Sequence, residues 1–136
     1  MWRFNRANHS HTYGTYEGVE VMGYADSIES ALSESTLFVH SARLDAYAVA
    51  PLEAMYGGIP SVVTNKTGCR DAISRVDNNL VANEITPDKI ASTICWFLEL
   101  PRERKSQLSE RSKQVARQYT EEVRKKEFKQ SILDII

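Results

Sequence analysis

Two carboxylates eight positions apart, Asp45 and Glu53, flank the point where a short apolar run gives way to a helix-forming stretch. Acids on either side of such a junction can accept hydrogen bonds from the hydroxyls of a sugar. The free N–H groups of the helix start between them suit a phosphate. The apolar run is Thr36-Leu-Phe-Val-His40, read as a strand. The helix is predicted from near Ala48 to Gly57-Gly58, with Pro51 in its first turn, where a missing N–H costs nothing. A second apolar strand, Ile59-Pro-Ser-Val-Val-Thr64, follows at once. In an open α/β sheet, ligands bind in the mouth above the carboxyl ends of such strands.

The elements that must position these acids can be read along the chain. Asp26 to Glu34 reads as a short amphipathic helix with Ile28, Ala31 and Leu32 on one side. After the Ile59 strand come a short helix near Cys69 to Ser74 and a strand Asn79-Leu-Val-Ala-Asn83. Thr86 followed by Pro87 is a cap and a first-turn proline, and the helix they open places Ile90, Ile94, Phe97 and Leu98 on one face. Alternation of strand and helix over this length predicts a parallel α/β sheet with right-handed crossovers and helices on its faces. The tail differs in charge. Residues 102–136 hold ten Lys and Arg against six acids, net +4, and residues 1–101 hold seven against twelve, net −5. Pro101 opens one tail helix along Leu108, Val115 and Tyr119; Thr120 is expected to cap another, with Phe128, Ile132 and Ile135 or Ile136 as a buried stripe.

Around the two acids the sequence reads Ser41-Ala-Arg-Leu-Asp-Ala-Tyr-Ala48, then Leu52-Glu-Ala-Met-Tyr-Gly-Gly-Ile-Pro-Ser-Val-Val63 and Thr64-Asn-Lys-Thr-Gly-Cys-Arg-Asp71. Upstream, Val19-Glu-Val-Met-Gly-Tyr24 reads as a strand ending at glycine. From about Val19 to Leu100 this resembles the donor-binding signature of family-4 glycosyltransferases, retaining enzymes of the GT-B fold. Their pattern runs Pro-Ser, two residues, Glu, a small residue, Phe or Tyr, Gly, then a helix Leu-Glu-Ala-Met-Ala-x-Gly-x-Pro-Val-Val. The family's Glu-x7-Glu spacing stands here as Asp45-x7-Glu53; the first acid is one methylene shorter, Ala48 replaces the glycine and Ser41-Ala42 replaces Pro-Ser.

The resemblance implies a Rossmann-like sheet, the later part of a GT-B C-terminal domain. Residues 1–18 form an irregular N-terminal segment, 19–100 the nucleotide-sugar-binding core and 101–136 the basic C-terminal helices of a single domain. It implies transfer of a hexose from a nucleoside diphosphate sugar to a hydroxyl, in polysaccharide or glycoconjugate biosynthesis. Catalytic Asp45 would contact the transferred sugar and Glu53 the ribose hydroxyls. The amides of Ala46, Tyr47 and Ala48 would face the sugar and diphosphate, and Thr64, Thr67 and Gly68 would lie beside the donor. The nucleotide sugar is substrate; no cofactor and no metal are implied, since GT-B enzymes neutralise the diphosphate with side-chain cations. The segment Met1 to Gly18 is too short for the family's first two strands, and with them go its Gly-Arg and Lys-Gly cations. The chain is therefore expected to be a piece or a remnant of a glycosyltransferase, inactive by itself. The competing reading is a non-catalytic subunit that oligomerises or partners another glycosyltransferase chain.

Taken alone, Asp45 and Glu53 have a bland explanation as a helix cap and a first-turn acid; the surrounding signature is what that explanation leaves unaccounted for. His9 and His11 in the polar N-terminal stretch read as solvated, His40 as a packed or partly exposed histidine, and Arg43 as a partner for Asp45. A composition of 42% apolar and 26% charged residues is that of an ordinary globular domain, and a formal net charge of −1 carries no nucleic-acid footprint. No apolar run approaches the ~20 residues of a membrane helix. Cys69 and Cys95 lack metal-type spacing and read as reduced thiols in a cytoplasmic protein, at the inner face of the membrane if the basic tail makes a weak peripheral contact. A homodimer, or a complex with a complementary glycosyltransferase chain, is expected because the Leu37-Phe38-Val39 edge and the Phe128–Ile136 stripe lose their usual neighbours.

Overall fold

The computed structural model describes Gly18, Val19 and residues 26–134. The chain divides into two units, Met1–Glu34 and Ser35–Ile136. In the first, helix α1 (Ile28–Leu32) is capped by Ser27, whose Oγ accepts from the Ser30 N–H at 3.1 Å. The Val19–Tyr24 strand (Val19 itself aside), His9, His11, Ile135 and Ile136 lie outside the described residues.

The second unit is the expected parallel α/β layer structure. Strands β1 (Phe38–His40), β2 (Ser61–Thr64) and β3 (Val81–Ala82) form a parallel sheet in the order β1-β2-β3. Phe38 registers with Ser61, and Val63 with Val81. Parallel neighbours need a crossover, and helices α2 (Ala50–Tyr56) and α3 (Arg70–Val76) supply the two between these strands. All four residues of β2 are buried, as a β-branched strand covered on both faces should be. The core around it holds Met55, Val62, Val63, Ile73, Leu80 and Phe97.

Helices α4 (Pro87–Glu99) and α5 (Arg102–Ala116) complete the layers. Thr86 caps α4 as read, its Oγ1 accepting from the Lys89 N–H at 3.3 Å. Helix α5 packs on α2 and α3 although only Leu108, Ser112, Val115 and Ala116 of its fifteen residues are buried. Burying Leu108 alone is worth about 2 kcal/mol, against ~0–1 for an exposed ion pair such as Arg104–Asp77, so the apolar line holds this charged helix. Its seat is set by Gly58, at φ +86°, whose carbonyl accepts from Ser109 Oγ at 2.6 Å and where a Cβ would lie 2.4 Å from Lys113 Cε.

Four expectations change. The Asn79–Asn83 strand shrinks to β3 because the Asp77 carboxylate accepts from the Asn79 N–H at 3.0 Å, turning Asn78–Leu80 into a 3-10 helix. On α4 the buried face is Thr93 and Phe97, whereas Leu98 is 58% exposed; each helical residue rotates about 100°, which carries Leu98 off the Phe97 line. Helix α6 (Glu121–Leu133) buries nothing: Phe128 is 69% and Ile132 43% exposed. It packs on the 3-10 turn Arg117–Tyr119, where the Arg124 guanidinium lies over the Tyr119 ring at 4.3 Å, a contact that leaves Phe128 and Ile132 uncovered. Thr120 precedes α6 without a side-chain cap, its Oγ1 donating back to the Arg117 carbonyl at 3.4 Å. No helix among the described residues is long and apolar enough to cross a membrane.

Ser112 is fully buried, and its Oγ has no hydrogen-bond partner among the described residues. Ser112→Ala removes that unsatisfied hydroxyl and improves helix propensity, so it should raise stability by about 1 kcal/mol. Urea denaturation should show a higher midpoint at an unchanged slope; a lower midpoint would mean that the hydroxyl has a partner.

Candidate functional site

Two connections leave the carboxyl ends of adjacent strands, residues 41–49 after β1 and residues 65–69 after β2, and the backbone ties them together. The Asp45 N–H donates to the Lys66 carbonyl at 3.2 Å, and the Gly68 N–H donates to the Asp45 carbonyl at 2.8 Å. Asp45 and Thr67 thereby form a parallel bridge that continues the β1–β2 pairing past the sheet. Approach this close requires glycine: a Cβ on Gly68 would stand 1.8 Å from the Ala46 carbonyl oxygen.

The Asp45 side chain is held as firmly. Its Oδ1 accepts from the Tyr47 N–H at 3.1 Å, an Asx turn, and its Oδ2 lies 3.0 Å from His40 Nε2. A carboxylate only accepts, so His40 Nε2 carries the proton of this contact. Arg43, the partner expected from sequence, makes no ion pair with Asp45; the histidine at the end of β1 takes that place. Nor does Asp45 cap α2, whose cap position is Val49.

Beneath this loop Thr64 and Thr67 are buried. Thr64 Oγ1 donates to the Ala42 carbonyl at 2.7 Å, which joins β2 to the other connection, and lies 3.2 Å from Thr67 Oγ1, which it holds from within its own connection. Cys69 is buried beside them as a free thiol. Burial, with a smaller push from the Asp45 charge and against a backbone hydrogen bond, moves its pKa up to about 11, so it stays neutral and unreactive at physiological pH. Cys95, also free, is exposed on α4.

Glu53 is in the first turn of α2, exposed, and its carboxylate has no partner among the described residues. Four backbone N–H groups at this edge, those of Ala46, Ala48, Val49 and Ala50, likewise make no hydrogen bond among the described residues. Tyr47 is half exposed and Ala48 buried. The edge thus combines one free acid, one oriented acid and several unspent donors, a set suited to hydroxyls and anionic oxygen. Among the described residues no group of three or more His, Cys, Asp or Glu could hold a metal ion.

Sequence reasoning picked the two acids and missed the histidine. The only signal for it was a His five positions before Asp45 at a strand end. It also missed that Gly68 is a contact point for the other loop; the glycine itself was visible.

Gly68→Ala forces the Ala46 carbonyl to move, and because the obstacle is backbone the cost should be about 1–3 kcal/mol. Thermal denaturation should show the loss; wild-type stability would mean that the two connections are not in contact.

The family model of glycosyl transferases group 1 matches residues 2–115. Among curated proteins and among solved structures no match was found. The family match spans β1 to β3 and most of α5, and it contains every residue of the edge described above. The chain belongs to the glycosyl transferases group 1 family.

Proposed function

We propose that this chain is the nucleotide-sugar-binding part of a retaining, family-4 glycosyltransferase of the GT-B fold, which moves a hexose from a nucleoside diphosphate to a hydroxyl. The observation that carries this is that Asp45, oriented by His40 and Tyr47, stands in the connection after the carboxyl end of β1, and that Glu53, exposed and without a partner among the described residues, stands in the first turn of the helix that this connection opens. Parallel sheets bind ligands at that edge, and family membership makes glycosyl transfer the chemistry it would serve.

In this reading Glu53 accepts from the ribose hydroxyls. Asp45 accepts from hydroxyls of the transferred sugar with the lone pairs that Tyr47 and His40 leave over. The unspent N–H groups of Ala46 and Ala48 stabilise charge on the diphosphate as the glycosidic bond breaks; the Tyr47 N–H, held by Asp45, sets the turn that presents them. Thr64, Thr67 and Gly68 serve the donor from beneath, by fixing the loop that faces it. The diphosphate leaves with the electron pair of the cleaved bond, and its departing oxygen takes the proton that the acceptor hydroxyl gives up as the new bond forms. Cations for the leaving group and a surface for the acceptor belong to the family's Gly-Arg and Lys-Gly segments and its other domain. A cytoplasmic site of action, at the inner face of a membrane, fits an acceptor carried on lipid.

Partner binding belongs to the same reading. Strand β1 lies at an edge of the sheet among the described residues, with Val39 38% exposed, and α6 shows Phe128 and Leu133 to solvent. An apolar strand edge and an unpacked helix both favour association.

Two outcomes test this. Each charge-assisted hydrogen bond forgone is worth ~1.5–3 kcal/mol, so the chain should bind nucleoside diphosphate sugars only in the millimolar range, about −4 kcal/mol. Glu53→Ala should abolish that binding; submicromolar affinity by calorimetry would mean that the pocket is complete within this chain. Light scattering should return a homodimer, and a clean monomer at millimolar concentration would remove self-association from the account.

A further inference from the structure

We infer that His40 is a positioning residue for donor-sugar recognition: its Nε2–H fixes the rotation of the Asp45 carboxylate so that the unused lone pairs face the hydroxyls of the transferred sugar. This rests on the reading of Asp45 given above, and deepens it.

The Asx turn alone leaves the carboxylate under-determined. An Asp χ2 is broad and nearly two-fold, and Tyr47 N–H pins only Oδ1. The second donor, His40 Nε2 at 3.0 Å from Oδ2, removes the remaining rotation. The backbone of His40 is itself fixed, because His40 registers with Val63 of buried strand β2. The imidazole therefore reaches Asp45 from a rigid element rather than from the loop. An ionised carboxylate has about four acceptor positions; two are used, and two remain for ligand hydroxyls.

The contact is part-buried, with the two side chains 25% and 32% exposed, and the Asx turn already satisfies one carboxylate oxygen without it. Orientation is what the histidine supplies, and orientation matters more for an Asp, whose carboxylate stays close to the main chain and can be captured by the Asx turn, than for a longer acid. The imidazole Nδ1 has no partner among the described residues, so His40 makes no competing hydrogen bond that would pull the ring away.

The test compares wild type, His40→Ala and His40→Gln, whose amide can put an N–H where Nε2–H was. Binding is measured by ligand-observed NMR with uridine diphosphate glucose, guanosine diphosphate mannose and adenosine diphosphate glucose, each beside its nucleoside diphosphate without sugar. Removing one hydrogen bond to a charged group should weaken the sugar nucleotide by about tenfold in His40→Ala and leave the diphosphate unaffected, with His40→Gln returning to within about threefold of wild type. Imidazole 15N spectra of the free protein should show the Nε2–H tautomer, with the Nε2 resonance shifted in Asp45→Ala as the hydrogen bond is lost. Equal weakening of sugar nucleotide and diphosphate, wild-type affinity in His40→Ala, or an Nδ1–H tautomer would overturn the role of His40 while leaving donor binding intact. Absence of binding to any probe by the wild-type chain would overturn the donor reading, and this inference with it.

Discussion

The Asp45 peptide is held from both sides: its N–H by the Lys66 carbonyl, its C=O by the Gly68 N–H. These two bonds carry parallel pairing beyond the sheet, out of regular secondary structure and into the loops where ligand chemistry belongs. They demand that two backbones touch, which a single methyl at residue 68 would prevent. Once they form, the direction of the Asp45 side chain follows. The Asx turn to Tyr47 and the contact with His40 both start from a main chain that cannot swing. The Thr64–Thr67 pair closes the same joint from below, at hydroxyls with no access to water.

Rigidity at the joint depends on what lies beneath it. Strand β2 is buried throughout, and Met55, Ile73 and Phe97 pack around it. Helix α5, rich in charge, is pinned by Leu108 and Val115 and by the close seat at Gly58 rather than by its ion pairs. Such a scaffold can hold exposed acids at an edge without strain, since the edge side chains contribute little to folding and are free to serve a ligand. Glu53 is an example: its helix is anchored by Pro51, Leu52, Ala54 and Met55, while its own carboxylate has no partner among the described residues. The opposite holds along α6, which has apolar residues but buries none of them among the described residues. Phe128 remains on display because burial needs two surfaces and the helix supplies one.

Local and periodic features were legible from the sequence because each is written in a few consecutive residues. Thr86-Pro87 declares a helix start through a cap and a fixed φ, and α4 begins there. The run Ile59–Thr64 declares a buried strand through β-branching, and the alternation of elements declares a parallel sheet. The acids and their spacing were legible for the same reason, and membership of the glycosyl transferases group 1 family agrees with the chemistry they suggested.

What the sequence could not decide were outcomes that depend on residues distant along the chain. The sequence offered Asp45 one partner, Arg43; strand register, fixed by β2, delivered His40 instead. The apolar Leu98 and Phe128 were read as buried from pattern alone, yet each is exposed, because a pattern names an apolar face and only packing says whether anything covers it. Asn79 was read as strand until the Asp77 side chain captured its N–H. Gly68 looked like a turn glycine, and its reason is a carbonyl twenty-two residues earlier, at Ala46. Composition, periodicity and capping act over one or two turns of chain, so sequence settles which elements form. Close approach, register and cover are properties of pairs of elements, and only the assembled fold fixes them.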